Sequence, residues 1–214
     1  MPIKLGIVPV TPYEQNCSIL VCQETGDAAV VDPGGDIEKI LAGVKQMGGN
    51  VKKILLTHGH LDHCAGAKDL ADQLGVPIEG PQEDERFWID QLPEQTVRFG
   101  FGHAKVFEPD RWLNNGDHVQ VGNVDLEVFH CPGHTPGHVV FFDKEDRLAI
   151  VGDVLFAGSI GRTDFPRGNH ADLINAIKTK LWPLGDDVQF VPGHGPMSTF
   201  GQERKTNPYV GDGA

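Results

Sequence analysis

Three histidines and one aspartate lie within the string HGHLDH, at His58, His60, Asp62 and His63. A strand would send His63 to the face opposite the other three, and a helix would separate His58 and Asp62 from His60 and His63. A turn between a strand and a helix instead lets two pairs of side chains point at two adjacent centres. We therefore predict a metal site in this turn, directly after the apolar strand that ends at Thr57.

Three further candidate ligands lie in comparable places later in the chain. His134, Asp153 and His194 each stand at the end of a segment predicted to be a buried strand, with a glycine beside them. Open α/β sheets place their sites at the carboxyl ends of strands, so these side chains can meet the first cluster. The seven side chains offer five imidazoles, two carboxylates and no thiolate, a set that suits zinc, iron or manganese. We expect two divalent metal ions, with zinc as the first choice.

The remaining histidines and the cysteines carry weaker signals. A lone histidine is usually a structural or surface residue, and we interpret five of the ten histidines in that way, with His130 and His138 nearest to the predicted site. The four cysteines form no C-x2-C pair and are interpreted as reduced thiols. We therefore expect no cysteine among the ligands, although Cys64 and Cys131 stand close to them.

The length and the charge of the chain narrow the classes of function. A chain of 214 residues favours one large domain with a core of its own. The formal net charge of −12 argues against a nucleic-acid partner, because phosphate binding needs a cationic surface. No apolar run approaches the roughly 18 residues of a membrane span, and the first residues do not resemble a signal peptide. We expect a cytoplasmic protein with no membrane partner, and the oligomeric state stays open at this stage.

The apolar periodicity predicts strands and helices in both halves of the chain. Helical spacing marks residues 36–48, 62–75, 171–181 and 200–206. Strand-like segments include 3–10, 16–22, 52–57, 138–143, 147–153 and 187–193, together with 28–35, which is a buried strand that ends in a turn. Within 81–115 the pattern gives only a short helix near Glu83–Ile89. The alternation predicts a layered α/β domain with two mixed sheets and helices outside.

The motifs HGHLDH, GHTPGH, GD and PGHG follow one another as in the metallo-β-lactamase fold, and the chain resembles that fold over nearly its whole length. The segments HTPGH, GRTDFPRG and ERKTNP are similar to those of the hydroxyacylglutathione hydrolases, also called glyoxalase II, and above all to their short bacterial relatives. The resemblance implies a single domain over residues 1–214. It also implies a four-layer αββα sandwich of two mixed β-sheets, with a dinuclear site in a groove at one edge.

The resemblance further implies a role for each ligand. The first metal would be held by His58, His60 and His134. The second metal would be held by Asp62, His63 and His194. Asp153 would bridge the two metals. Two features depart from glyoxalase II: the full C-terminal helical domain is missing, and Gly195, Pro196 and Met197 follow the last ligand where an aromatic residue is usual. We therefore expect weak binding of glutathione.

A dinuclear centre can hold a hydroxide at neutral pH and polarise a carbonyl group. We expect Asp153 to fix the metal spacing and Asp62 to orient the metal-bound hydroxide, so both would act in catalysis. A small-molecule thioester such as S-lactoylglutathione suits this site, because its thiolate leaving group has a pKa of about 8.5 and needs no proton donor. Arg162 has two interpretations: it binds a substrate anion, or it forms an ion pair with Asp164.

Two other functions occur on the same fold. Persulfide dioxygenases also carry a GRTDF segment, and they hold one iron on residues that match His58, His134 and Asp153. This mononuclear iron oxidoreductase is the alternative to the thioester hydrolase. A count of metals separates the two, because two ions per chain favour hydrolysis and one iron favours oxygenation. A nuclease of this superfamily is disfavoured by the charge of −12.

Overall fold

The computed structural model describes residues 3–214, and the first of its two large sheets is formed by the chain up to Glu79. Its strands are β1 Ile3–Val10, β2 Gln15–Cys22, β3 Asp27–Val31, β4 Asn50–Leu55 and β5 Ile78–Glu79. They neighbour one another in that same order. The pairs β1–β2 and β2–β3 are antiparallel, whereas β3–β4 and β4–β5 are parallel, so this sheet is mixed.

The second large sheet is formed by six strands from the rest of the chain. In chain order this part of the chain contains eight strands, namely β6 His118–Val121, β7 Val124–His130, β8 Val139–Asp143, β9 Leu148–Gly152, β10 Leu155–Phe156, β11 Ser159–Ile160, β12 Gln189–Pro192 and β13 Ser198–Thr199. The order across the sheet is β13-β12-β9-β8-β7-β6, and β10 pairs with β11 in a separate small hairpin. The pair β12–β9 is parallel and the other pairs of this sheet are antiparallel, so this sheet is mixed as well.

Seven α-helices accompany the sheets in the described part of the chain. They are α1 Ile37–Met47, α2 Leu61–Cys64, α3 Ala67–Leu74, α4 Arg86–Ile89, α5 Leu92–Phe99, α6 His170–Ala176 and α7 Phe200–Thr206. Short 3-10 turns cover Glu83–Glu85 and Trp182–Leu184, and a π turn covers Ile177–Leu181. Among residues 3–214, no helix has the length and apolar character needed to cross a membrane.

Side chains that alternate along the strands divide the core into three apolar layers. In β2, Leu20 packs between the two sheets, whereas Ile19 packs under the helices of the first sheet. In β8, Phe141 packs between the sheets, whereas Val140 and Phe142 pack under the helices of the second sheet. Because successive strand side chains point to opposite faces, each sheet buries both of its faces. The order of layers is helix, sheet, sheet, helix, and the predicted four-layer sandwich is confirmed.

Two predicted elements end or break beside the HGHLDH turn. The strand predicted within 28–35 ends in a turn as expected, since β3 stops at Val31 and Asp32, with a φ of 53°, turns the chain out of the sheet. The helix predicted over 62–75 is divided at Gly66 into α2 and α3. A Cβ atom at Gly66 would lie 2.6 Å from the carbonyl oxygen of Pro33, so the two loops pack against each other at backbone distance. The end of β3 and the division between α2 and α3 therefore lie where the loops of Pro33 and Gly66 pack against each other, beside the predicted ligands.

The later helices also depart from the prediction. The helix expected over 171–181 is α-helical to Ala176 and then continues as a π turn. The segment 90–100, which showed no clear periodicity, contains the eight-residue helix α5. This unpredicted helix forms one wall of the groove described below.

Candidate metal centre

All seven predicted ligands lie at one edge of the sandwich, past the carboxyl ends of four strands. The HGHLDH turn follows β4, and its second half opens α2. His134 follows β7, Asp153 follows β9 and His194 follows β12. Since β4 belongs to the first sheet and the other three strands to the second, the site is assembled between the two halves of the chain.

Three imidazoles of the first ligand group converge on one point. The His60 Nδ1 atom lies 3.1 Å from His58 Nε2 and 3.0 Å from His134 Nε2. All three rings are buried. Burial and the neighbouring histidines hold the pKa of His58 well below its ordinary value and lower the pKa of His60 to about 3. A metal ion binds the lone pair of a neutral imidazole nitrogen, so three neutral rings that face one another suit a metal ion.

The second ligand group lies beside the first. The Asp62 Oδ2 atom is 3.1 Å from His194 Nε2 and 3.7 Å from His63 Nε2. Burial disfavours the charged imidazole of His63, but the carboxylates of Asp153 and Asp62 outweigh burial and raise the pKa of His63 well above its ordinary value. Without metal, a protonated His63 therefore supplies the positive charge that a metal ion would supply to this group.

The Asp153 carboxylate stands between the two groups. Its Oδ1 atom lies 3.3 Å from His63 Nε2, and its Oδ2 atom lies 3.5 Å from His134 Nε2. The buried atoms His63 Nε2 and Asp153 Oδ1 form no hydrogen bond with the described residues, so both retain a free position for a ligand bond. A Cβ atom at residue Gly193 would lie 2.0 Å from Asp153 Oδ1, so only glycine leaves room for this carboxylate. The residues therefore fit a pair of metal ions.

Hydrogen bonds to the outer ring nitrogens fix the orientation of the ligands. The Thr57 hydroxyl donates its one proton to Asp32 Oδ2 at 2.6 Å, so it must accept the bond from His58 Nδ1 at 3.0 Å. His63 Nδ1 lies 2.9 Å from the same Asp32 oxygen. Both rings therefore carry a proton on Nδ1 and turn Nε2 toward the site, as the nitrogen that can bind a metal ion.

Backbone carbonyls do the same for the two ligands from the second sheet. His134 Nδ1 donates to the Arg162 carbonyl oxygen at 2.7 Å. His194 Nδ1 donates to the Tyr13 carbonyl oxygen at 3.1 Å. The GRTDF segment therefore holds a ligand through its backbone, a role that its side chains do not reveal.

A buried carboxylate ties the two loops that supply the first ligand group. Glu85 is fully buried, and its Oε2 and Oε1 atoms accept hydrogen bonds of 2.8 Å from the backbone amides of Gly59 and Gly137. Burial raises the pKa of Glu85 to about 7. Gly59 precedes His60, and Gly137 belongs to the HTPGH loop, so one side chain sets the distance between both loops.

His138, interpreted from the sequence as structural, is buried against the site and contacts two ligands. Its ring stacks on that of His58 at a centroid distance of 4.6 Å. Its Nε2 atom accepts a hydrogen bond of 3.1 Å from the backbone amide of Asp153. His138 therefore positions Asp153 and stays outside both ligand groups.

A groove with a volume of about 830 Å³ opens onto the ligands. Its apolar lining comes mainly from Tyr13, Trp88, Phe156, Ile160 and Phe165. The rings of Trp88 and Phe165 lie at centroid distances of 4.6 and 4.7 Å from His60 and cover that ligand. The groove is therefore apolar beside the first ligand group, and α5 forms its polar wall.

Arg162 lines the groove, and its guanidinium group is already paired. Its Nε and Nη2 atoms lie 3.0 and 2.8 Å from the two carboxylate oxygens of Asp164, and the group also covers the ring of Phe165 at 4.6 Å. The ion pair that the sequence suggested as an alternative is present. Binding of a substrate anion by Arg162 stays a prediction.

The structure brings all seven predicted ligands together, whereas three supporting residues were missed. Asp32, Thr57 and Glu85 act through hydrogen bonds to residues far away in the sequence or to a ligand's outer nitrogen. One signal could have identified Asp32: like Asp153, it stands at the end of a buried strand and next to a turn. The sequence around Glu85 contains no comparable signal. All four cysteines are buried and unpaired.

Comparisons with known proteins agree with this geometry. The family model described as "Metallo-beta-lactamase superfamily" matches residues 10–194. The chain is 46% identical over 209 residues to hydroxyacylglutathione hydrolase GloC of Haemophilus influenzae. The aligned residues cover 97% of this chain and 98% of that protein.

Two solved structures have closely similar folds. The BLEG-1 B3 metallo-beta-lactamase superposes with a TM-score of 0.88 at 33% identity, covering 97% of this chain and 99% of that one. TTHA1623 in a di-iron-bound form superposes with a TM-score of 0.86 at 33% identity, covering 96% of this chain and 100% of that one. The sequence match, the fold and the two ligand groups together make this chain a metallo-hydrolase of the metallo-beta-lactamase superfamily.

Proposed function

We propose that the protein hydrolyses a thioester of glutathione, such as S-lactoylglutathione, and that it uses two divalent metal ions. Zinc is the first choice for both ions. The observation that carries the proposal is the position of Asp153, whose two oxygens face the two ligand groups from between them. The similarity to a protein named hydroxyacylglutathione hydrolase supports the choice of thioester. We further propose a small-molecule substrate, no nucleic-acid or membrane partner, and a location in the cytoplasm.

The two ligand groups define which residues would hold the ions. His58, His60 and His134 would bind the first, Asp62, His63 and His194 would bind the second, and Asp153 would contact both. When bound, such a pair of ions supplies an activated water molecule and polarises the substrate carbonyl. Iron or manganese would be accommodated by the same nitrogen and oxygen donors.

The protein's own residues would then position the reacting groups. The pKa of Asp62 is lowered by the neighbouring His63 and His194 against the effect of burial, so its carboxylate stays ionised and can accept a hydrogen bond from the attacking water. Trp88 and Phe165 exclude solvent beside His60. Water adds to the acyl carbon, the carbon–sulfur bond breaks, and a carboxylic acid and a thiol are released. The thiolate leaves without a proton donor, since its pKa is about 8.5.

Metal analysis combined with two assays tests this proposal. We expect two metal ions per chain and hydrolysis of S-lactoylglutathione, with no oxygen consumption on glutathione persulfide. In Asp153→Ala, at least one ion and most of the hydrolysis should be lost, because two cations would face each other without a shared carboxylate. One iron per chain together with persulfide oxidation would replace this proposal by the oxidoreductase alternative. Full activity and two ions in Asp153→Ala would refute the role of the bridge.

A further inference from the structure

Helix α5 presents a polar face to the groove. Gln91, at its N-cap, and Glu94, Gln95 and Arg98 line the groove together. Their spacing places them on one side of a helix, whereas Leu92 and Thr96 are buried on the other side. The same groove is lined by ligands of both groups, so a substrate whose carbonyl reaches the metal centre can extend toward α5.

Glu94 and Arg98 carry opposite charges and are exposed at successive turns of this face. Among residues 3–214, neither side chain forms an ion pair, with the other or with a third residue. Arg162 differs in this respect, because Asp164 occupies the Nε–Nη2 edge of its guanidinium group. Arg98 therefore offers the groove wall a guanidinium group without a carboxylate partner among the described residues, although it lies 5.6 Å from the centroid of the Phe99 ring, and the Glu94 carboxylate stands one turn away.

The neutral side chains of this face offer groups that bind amides. Gln91 uses its side-chain nitrogen to donate to the Phe87 carbonyl oxygen at 2.7 Å, which leaves its oxygen free to accept. The Gln95 side chain forms no hydrogen bond within the described part of the chain and is only half-buried. A carboxamide is both donor and acceptor, so it can match a peptide group of a bound molecule.

We infer that Glu94 and Arg98 form a subsite for the α-amino acid end of the substrate's thiol carrier, with its ammonium group at Glu94 and its carboxylate at Arg98. Gln95 faces a peptide group of the same carrier. This inference rests on the proposed thioester hydrolysis and adds where the glutathione part binds. A polyphosphorylated carrier such as coenzyme A fits the face less well, because Glu94 would repel it in a protein whose net charge is already −12.

Binding of S-methylglutathione, measured by calorimetry on the metal-loaded protein, tests the subsite without catalysis. We expect Arg98→Ala to weaken binding about tenfold, since a charged hydrogen bond is lost. Arg98→Lys should recover only part of the affinity, because a point charge lacks the planar fork of arginine. Glu94→Gln should weaken binding of S-methylglutathione, but leave the affinity for an analogue without the α-ammonium group unchanged.

Arg86→Ala is the matched control. It removes the same charge from the neighbouring helix, but Arg86 pairs with Glu108 at 2.8 Å and does not line the groove. Its affinity for S-methylglutathione should equal that of the unmodified protein. The KM for S-lactoylglutathione should rise in Arg98→Ala in parallel with the dissociation constant, with little change in kcat.

The outcomes separate the subsite from the proposed reaction. Tighter binding of coenzyme A in Glu94→Gln, combined with unchanged binding of S-methylglutathione, would show that the face recognises a polyanion and would overturn the inference. No detectable binding of S-methylglutathione, or equal affinity in Arg98→Ala and Arg86→Ala, would overturn it as well. If the unmodified protein binds S-methylglutathione through Arg98 and still fails to hydrolyse S-lactoylglutathione, the proposed reaction fails and the subsite stands.

Discussion

The proton positions at single residues decide whether the imidazoles can bind metal. Asp32 accepts hydrogen bonds from the backbone amide and hydroxyl of Thr57 and lies 2.9 Å from His63 Nδ1. A carboxylate oxygen accepts hydrogen bonds, so the Nδ1 proton of His63 is held by Asp32, and Nε2 is the nitrogen that can bind a metal ion. The second ligand group therefore depends on a carboxylate that does not itself face the metal positions.

Asp32→Asn should weaken metal binding at the second ligand group roughly 10- to 100-fold, with less effect on the first. An asparagine amide that donates to Nδ1 of His63 would move the ring proton to Nε2, the nitrogen that must bind metal. Asparagine also tolerates the positive φ of 53° at this position, so the backbone should not change. Titration with a metal chelator followed by metal analysis measures the effect.

Cys64→Ser is the control for this variant, since Cys64 is buried next to His63 in the chain but belongs to neither ligand group. It should keep two ions per chain and lose only some stability. Loss of an ion in Cys64→Ser, or unchanged chelator resistance in Asp32→Asn, would contradict this account of the site. Cys131→Ser should behave like Cys64→Ser.

The elements that carry the ligands are strand ends, and they must be held at fixed separations by contacts between loops. Glu85 provides such a contact, because its two oxygens accept from amides of the HGHLDH and HTPGH loops at 2.8 Å each. Its own segment, the 3-10 turn Glu83–Glu85, is therefore part of the support of the site, although it supplies no ligand.

Glu85→Gln should lower the metal affinity of the first ligand group about tenfold, because the amide nitrogen cannot accept and one loop is released. Affinity at the second group, which Glu85 does not contact, should change less. Stepwise metal titration of the purified protein measures the two affinities.

Glu203→Gln is the matched control for the loss of a buried carboxylate. Glu203 is 2% exposed and accepts from Gly158 and Ser198, outside both ligand loops. Both variants should lose about 1–3 kcal/mol of stability, but Glu203→Gln should keep both metal affinities. Equal losses of metal affinity in the two variants would show that Glu85 acts only through global stability.

The sequence allowed the ligands to be predicted because they share one local signal, a polar side chain where a buried strand ends next to glycine. Asp153 and His194 are examples. Glu85 lacks that signal, since its partners Gly59 and Gly137 are 26 and 52 residues away. Helix α5 was missed because only Leu92 and Thr96 of its eight residues are buried, which leaves little apolar periodicity to detect.

At the scale of the whole molecule, the metal-free protein must bury several imidazoles without their charge. Burial lowers the pKa of four histidines, namely His58, His60, His134 and His138. Neighbouring carboxylates raise the pKa of two, His63 and His194, against the effect of burial. The two sets make opposite contributions to the dependence of stability on pH, and the first set is larger.

The metal-free protein should lose stability as the pH falls below about 6.5, the ordinary pKa of histidine. The unfolded chain then binds protons on all its histidines, whereas the folded chain cannot protonate the first set until the pH approaches its lowered pKa values, about 3 for His60. His63 and His194 contribute stability below about 6.5 that is lost as the pH rises, and they offset only part of the effect.

We expect the Tm of the metal-free protein to fall by about 5 °C or more between about pH 7 and pH 5, measured by calorimetry. The metal-loaded protein should keep its Tm over the same range for as long as the ions remain bound. A Tm of the metal-free protein that rises toward pH 5 would show that His63 and His194 dominate.

The order of the ligands along the chain limits when the ions can be captured during synthesis. The HGHLDH turn leaves the ribosome first, His134 and Asp153 follow, and His194 comes last. At about 5–20 residues per second, the nascent chain offers an incomplete shell for roughly ten seconds. An ion taken up in that interval would still exchange with water. Lasting occupancy of the second ligand group requires β12 to pair with β9 and bring His194 into place, so the filling of that group is a late step of maturation.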